Sequence, residues 1–153
     1  MKKFLLFVSV ASFTSCAVIR PGEAGVKQRF GNFQAGVKTD GIVFFNPITS
    51  KIVKESIQTN NLEMFLNLPS KEGLSVDSEI SILYRLETEK VPEVLQTLGP
   101  NYKTIITSVF RSASADVCSQ FFAKDMHSGK RADIEEAIKL KMANNLIEKG
   151  IVI

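Results

Sequence analysis

The spacing of apolar residues changes once along the chain, and this change limits the fold more than any other feature. Residues 74–86 alternate strictly, with Val76, Ile80, Ile82, Tyr84 and Leu86 on one face and mostly polar residues on the other. A period of two predicts a half-buried antiparallel strand, paired as a hairpin with the alternating run 62–68 across a turn at Glu72-Gly73. After residue 86 the apolar spacing becomes three to four, which is typical of helices. Strands followed by helices predict an α+β fold.

Short strands separated by turn residues are predicted before this hairpin. Residues 26–30, 33–37, 42–45 and 50–57 have strand character, and Asp40-Gly41 between them is a strong hairpin signal. Ile42-Val43-Phe44-Phe45 is apolar on both faces, which favours a core strand. The alternative is that Phe44 and Phe45 contact lipid. We expect an antiparallel, strongly bent sheet of short strands in this part of the chain.

Three helices are predicted after residue 86. A short one starts at Pro92 and ends at Gly99, and a long one covers residues 103–122 with an apolar stripe. A loop at 125–129 separates it from a third helix, capped by Asp133 or a neighbour and closed by Gly150. Ile151-Val152-Ile153 then begins a strand, so we expect the chain to be a fragment of a longer product.

The first sixteen residues have the order of a secretory signal. Lys2 and Lys3 precede the apolar run FLLFVSVASF, which is followed by Thr14, Ser15 and Cys16. The run has about half of the roughly 20 residues that a spanning helix needs. The arrangement resembles a bacterial lipoprotein signal, which implies that Cys16 becomes an acylated N-terminus. The alternatives are a retained signal anchor, an ordinary cleaved signal with Cys16 incidental, and a soluble protein with an apolar start. The predicted division is a signal peptide at 1–15, a tether at 16–22 and a folded domain at 23–153.

Charge and reactive side chains favour a platform over an enzyme. The chain has 19 Lys plus Arg and 16 Asp plus Glu, and removing Lys2 and Lys3 with residues 1–15 leaves 17 against 16, a net +1. A near-neutral domain is not expected to bind nucleic acid. His127 lies in a polar loop, and Cys118 is interpreted as a buried thiol, with a Cys16–Cys118 disulfide as the minor alternative. We expect no catalytic residue, cofactor or metal.

Several short motifs, taken together and in order, resemble the band 7 family. They share turn glycines and strand starts, and they are PGEAGV at 21–26, RFG at 29–31, DGI at 40–42, NP at 46–47, KEGLSVD at 71–77 and YR at 84–85. This family, also called the SPFH domain family, includes stomatin, prohibitin and flotillin, and the chain is most similar to prohibitin. The resemblance covers about residues 19–153.

The resemblance implies a non-enzymatic scaffold at a membrane. Relatives form rings or lattices, often through a long helix after the domain, and organise lipid microdomains or membrane protein complexes such as proteases. The expected partners are membrane lipid, other band 7 chains in a homo- or hetero-oligomer, and a membrane protease. With the signal, this places the chain on the periplasmic side of a bacterial inner or outer membrane. The alternatives are a periplasmic subunit or regulator of a membrane protease, and a small lipid-binding lipoprotein.

Overall fold

The computed structural model describes residues 15–126 and 129–153 and confirms the α+β fold. Over these residues the strands are β1 (Ser15–Ile19), β2 (Glu23–Arg29), β3 (Asn32–Lys38), β4 (Gly41–Phe45), β5 (Ser50–Ser56), β6 (Asn60–Pro69), β7 (Ser75–Leu86) and β8 (Ile151–Val152). The helices are α1 (Val91–Thr97), α2 (Tyr102–Cys118), α3 (Ala123–Met126) and α4 (Arg131–Leu146), with 3-10 turns at Thr88–Lys90 and Ile147–Lys149. The strands form three antiparallel sheets, β1-β4, β3-β2-β5 and β6-β7-β8. The predicted signal, apart from Ser15, and His127 lie outside the described residues.

The hairpin of β6 and β7 is the longest paired unit and confirms the prediction from alternation. Its register runs from Asn60 opposite Tyr84 to Pro69 opposite Ser75. Gly73 has a φ of +80°, a backbone conformation that glycine adopts without steric cost, and it closes the turn. The predicted strand at 151–153 is also confirmed, because Ile151 pairs with Leu86 and Val152 with Arg85.

The helices cover one face of this hairpin and form the core with it. Helix α2 packs on β6 and on α4, and α1 packs on β3. The predicted apolar stripes of α2 and α4 are buried, and their buried members are Ile106, Phe110, Ala113, Val117, Ile134, Ile138, Met142 and Leu146. These side chains meet Leu66, Leu68, Tyr84 and Leu86 of the hairpin in one cluster.

The helix boundaries differ from the predictions near residue 120. Helix α2 ends at Cys118 rather than at 122, because the chain turns there and the Phe121 carbonyl accepts a 2.8 Å hydrogen bond from the Lys71 amide of the β6–β7 turn. Residues 123–126, assigned in part to a loop, form the short helix α3. Helix α4 starts after Lys130 without a side-chain cap, so Asp133 lies in its first turn instead of capping it.

Strand β4 pairs with β1, and this corrects the hairpin expected at Asp40-Gly41. Gly41 has a φ of +92° and turns the chain as predicted, but β4 leaves β3 and lies antiparallel to β1. A local turn signal fixes the backbone at the turn, whereas the pairing partner depends on the rest of the fold. Residues 16–19, assigned to a tether, are therefore the greater part of a strand in a two-stranded ribbon.

Candidate functional site

The ribbon of β1 and β4 exposes an apolar face. Cys16 lies directly opposite Phe44, and Val18 lies directly opposite Ile42, so these four side chains share one face. Phe44 is 71% exposed, Ile42 62% and Val18 56%, and Cys16 is also exposed. We call these four residues the ribbon face. The prediction that residues 42–45 form a core strand is wrong for Ile42 and Phe44, because a two-stranded ribbon covered on one side buries only alternate residues.

The opposite side of the ribbon holds it to the β3-β2-β5 sheet. Ile19 is buried against Gly25, where any larger residue would collide with the Ile19 side chain. The Lys54 ammonium donates a 2.6 Å hydrogen bond to the Val18 carbonyl. Phe45 is half-buried and alternates with Phe44, so the two candidate lipid contacts point to different sides. The structure brings Cys16 and Phe44 together and separates Phe45 from them.

Two turns lie at the same end of this region as Cys16 and Phe44. The turn from β4 to β5 is closed by a 2.9 Å bond from the Ser50 amide to the Asn46 carbonyl. The turn from β2 to β3 is tied to it, because the Phe30 amide donates to the Thr49 carbonyl at 3.2 Å. Each turn carries one exposed apolar side chain, Phe30 at 75% and Ile48 at 70%. We call Phe30 and Ile48 the turn tips.

The turn tips are not among the residues that the sequence predicts for the site. Phe30 falls in the predicted strand 26–30 and in the RFG motif at 29–31, and Ile48 follows the Asn46-Pro47 motif after the predicted strand 42–45. An apolar residue at a turn is a usable signal, since turns favour Gly, Asn, Asp, Ser and Pro. What the sequence could not show is that the two turns are neighbours.

The two cysteines are separate free thiols, which excludes the bridged alternative in this structure. Cys118 is 2% exposed, as predicted, and burial raises the pKa of its thiol above the ordinary value. A buried thiol that resists ionisation is a poor nucleophile. Cys16 is the accessible cysteine of this pair.

The carboxylates of the described residues lie in ion pairs, in hydrogen bonds or on exposed surface rather than in a metal centre. Residues 15–126 and 129–153 contain no group of three or more His, Cys, Asp or Glu side chains placed to hold a metal ion. Glu135 pairs with the Arg131 Nε at 2.8 Å on the exposed side of α4, and the neighbouring Glu136 is also exposed. None of the helices within the described ranges combines the length and apolar character needed to span a bilayer.

A groove of about 630 Å³ runs along β7. It lies between the strand residues 77–83 and helix α4, and its apolar lining includes Leu68, Phe110, Ile134 and Ile138. Strand β8 pairs with β7 only at Arg85 and Leu86. The groove therefore borders the part of β7 that pairs with β6 and not with β8.

No curated protein matches the chain. The family described as "SPFH domain / Band 7 family" matches residues 17–153, which include all of the folded region except the first two residues of β1. Its members are in general membrane-associated scaffolds that form oligomers and are not enzymes. The fold agrees with this match, and the chain belongs to the SPFH/Band 7 family.

Proposed function

We propose that this protein is a membrane-held scaffold of the prohibitin type. An acyl group on Cys16 tethers it on the periplasmic side of a bacterial inner or outer membrane, and oligomers of it organise lipid microdomains or membrane complexes such as proteases. One observation carries the proposal: Cys16 lies directly opposite Phe44 on an exposed apolar face. An acyl chain attached to Cys16 would extend from the protein next to the Phe44 ring. Both groups could therefore enter the same bilayer.

The energies of the two contacts differ in size. Each methylene of an acyl chain contributes about 0.8 kcal/mol on burial in lipid, so several chains hold a domain almost permanently. The ribbon face offers a few partly exposed side chains, each contributing roughly 25 cal/mol for every Å² of apolar surface that it buries. The anchor would therefore determine whether the protein stays on the membrane, and the ribbon face would determine how it is oriented there.

Of the two aromatic residues predicted to contact the membrane, we assign the contact to Phe44. Its ring is 71% exposed, whereas Phe45 is half-buried on the side of the ribbon that faces the neighbouring sheet. In this proposal Phe45 packs on the inner side of the ribbon, toward the neighbouring sheet. A Phe45 substitution would then reduce stability, and a Phe44 substitution would not.

The anchor is tested by mass spectrometry of the mature N-terminus and by membrane fractionation of cells producing the full chain. We expect an N-terminal residue 16 with added acyl mass. The variant Cys16→Ser should retain its signal and lose the acyl mass, whereas Cys118→Ser, the matched control, should behave as the unchanged chain. Intact residues 1–15 together with an unmodified Cys16 thiol would contradict the tether.

Assembly is tested separately, by crosslinking in membranes and by measuring the mass of the detergent-solubilised complex. A scaffold should give a regular series of multimers at native expression levels. A monomer at all concentrations would contradict the scaffold while leaving the membrane tether intact.

A small lipid-binding lipoprotein is the second candidate, and the groove along β7 favours it. Its volume of about 630 Å³ is within the range of pockets for small ligands, which is roughly 300–1,000 Å³. Native mass spectrometry of the purified monomer would reveal a bound lipid, and Ile80→Glu, at a partly exposed position of the groove lining, should remove it. Recovery of the monomer without lipid would contradict this function.

A further inference from the structure

Phe30 has a positive φ, which is a backbone conformation that phenylalanine rarely adopts. Arg29 pairs with Asn32, so Phe30 and Gly31 form a two-residue turn, with φ values of +48° and +90°. Positive φ at both positions is the geometry that favours Asn-Gly or Gly-Gly. Among the described residues, Phe30 is the only one other than glycine with positive φ.

Packing does not explain this phenylalanine either. The ring is 75% exposed, so burial in the protein does not offset the strain of the turn. Strained positions of this kind persist where the surroundings enforce them and are concentrated at functional sites. The exposed ring is therefore better explained by a contact outside the chain.

Ile48 repeats the pattern in the adjacent turn. It is 70% exposed, and its amide donates a 2.9 Å hydrogen bond to the Asn46 side-chain oxygen, which fixes the turn. The 3.2 Å bond from the Phe30 amide to the Thr49 carbonyl joins the two turns. Two exposed apolar side chains thus lie on neighbouring turns whose backbones are joined by a hydrogen bond.

Positive charge borders the turn tips. The Arg29 guanidinium lies 5.8 Å from the centre of the Phe30 ring. Lys51 lies opposite Gln28, one position from the pair formed by Arg29 and Ser50, and both basic side chains are exposed.

The acidic residues of this region lie at its opposite end. Glu23 pairs with Ser56, and Glu55 pairs with Ala24, both at the far end of the β2-β5 ladder. Asp40 precedes Gly41, which pairs with Ile19 at the far end of the ribbon. The end that carries the turn tips is therefore basic.

We propose that the turn tips and their basic neighbours form a binding site for anionic phospholipid. Phe30 and Ile48 enter the interface between headgroups and acyl chains, while Arg29 and Lys51 pair with the lipid phosphates. Aromatic and aliphatic side chains flanked by Lys or Arg are the composition that favours such an interface. Cys16 and Phe44 lie at the same end, so one bilayer surface can meet the anchor, the ribbon face and the turn tips together.

This inference rests on the proposed membrane association and adds the lipid class and the residues that recognise it. Basic residues near an anionic surface each raise affinity about fivefold, so Arg29→Gln with Lys51→Gln should weaken binding to anionic vesicles by up to about thirtyfold. Lys139→Gln with Lys149→Gln, two exposed lysines of the C-terminal part, is the matched control for the lost charge.

The test uses the full chain with Cys16→Ser, which prevents acylation and leaves the buried Cys118 as the remaining native thiol. An environment-sensitive fluorophore is attached after Phe30→Cys, Ile48→Cys or, as the matched control, Leu140→Cys. Leu140 is 58% exposed on α4 and does not line the groove along β7. Each chain is mixed with vesicles of phosphatidylcholine alone or of equal parts phosphatidylcholine and phosphatidylglycerol.

We expect emission from positions 30 and 48 to shift to shorter wavelength on the vesicles with phosphatidylglycerol, and the shift to weaken in high salt. Emission from position 140 should not change. A chain that sediments with vesicles but leaves labels 30 and 48 in water would overturn this inference alone. Equal shifts at all three positions, or equal shifts with both lipid mixtures, would also overturn it. Failure of the full acylated protein to remain with membranes would instead overturn the proposed function.

Discussion

The region from residue 15 to 57 and the region from residue 58 to 153 use apolar side chains in opposite ways. Three buried apolar residues, Ile19, Ala24 and Val26, lie in the first region, and nineteen lie in the second. The first region nevertheless has five of the eleven large apolar residues that are exposed, although it is less than half as long as the second. Its short strands form two small sheets, whereas the second region packs helices on a long hairpin.

This difference separates two roles for hydrophobic residues. In the second region apolar burial holds the fold together, since core side chains contribute most of the favourable free energy. In the first region apolar side chains point outward on backbone that is fixed by strand pairing and tight turns. Substitutions there should alter membrane binding more than stability, and the following predictions test that division.

Loss of a core ring in the second region should have the largest effect. Phe110 of α2 is completely buried, so Phe110→Ala should lower the free energy of unfolding by about 3–5 kcal/mol. Phe44→Ser, the matched change in the first region, should alter it by less than about 0.5 kcal/mol. Urea unfolding followed by circular dichroism in the Cys16→Ser chain measures both. Equal losses for the two variants would abolish the distinction between the regions.

The junction at Gly150 should be the next most sensitive position. Gly150 has a φ of +77°, and a methyl group added there would lie 2.6 Å from the Lys90 Cβ. Its carbonyl also accepts a 2.9 Å hydrogen bond from the Glu87 amide, which brings β8 to β7. Gly150→Ala should cost about 1–2 kcal/mol from strain at positive φ. Gly36 has open space around it and no positive φ, so Gly36→Ala is the control. The urea midpoint of Gly150→Ala should be clearly lower than that of Gly36→Ala.

A hydrogen bond between the regions should contribute about as much as one typical buried bond. The Tyr102 hydroxyl, at the start of α2, donates to a Glu55 carboxylate oxygen of β5 at 3.1 Å. Tyr102→Phe should therefore reduce the free energy of unfolding by about 1 kcal/mol at neutral pH. Thr107→Val removes an exposed hydroxyl of the same helix and should have a smaller effect.

Tyr102 should also make the free energy of unfolding depend on pH under alkaline conditions. Burial, followed by the charge of Glu55 and the hydrogen bond, raises the pKa of Tyr102, and burial with Glu55 also raises the pKa of Tyr84. A raised pKa means that the unfolded chain loses the proton first, so stability should fall as the pH rises above about 10. The fall should be smaller in Tyr102→Phe. An identical slope in both chains, measured by urea unfolding across that range, would contradict the assignment.

The second region was the more predictable one from sequence. Alternation in β7 and the three-to-four spacing in α2 and α4 follow directly from which face is buried, so Ile106, Phe110 and Ile138 could be placed in the core. In the first region the strands were found, but the partner of β4 was not, because Asp40-Gly41 reports a turn and carries no information on pairing. The core interpretation of Phe44 failed for the same reason: an apolar run has the same pattern whether its second face meets protein or something else.

Phe30→Asn should give a small change in stability, and the sign of that change is the informative part. Asn-Gly is the preferred pair for a two-residue turn with positive φ at both positions, and Phe30 is too exposed for its ring to contribute much packing. The variant should therefore be more stable than the unchanged chain by about 0.5–1 kcal/mol, as expected when strain is relieved. The same variant should bind vesicles containing phosphatidylglycerol more weakly, which urea unfolding and vesicle sedimentation measure on one preparation. Gln34→Asn, at an exposed position of β3, controls for the substitution itself. A loss of stability in Phe30→Asn would mean that the ring supports the fold, and the contrast between the two regions would then not extend to this turn.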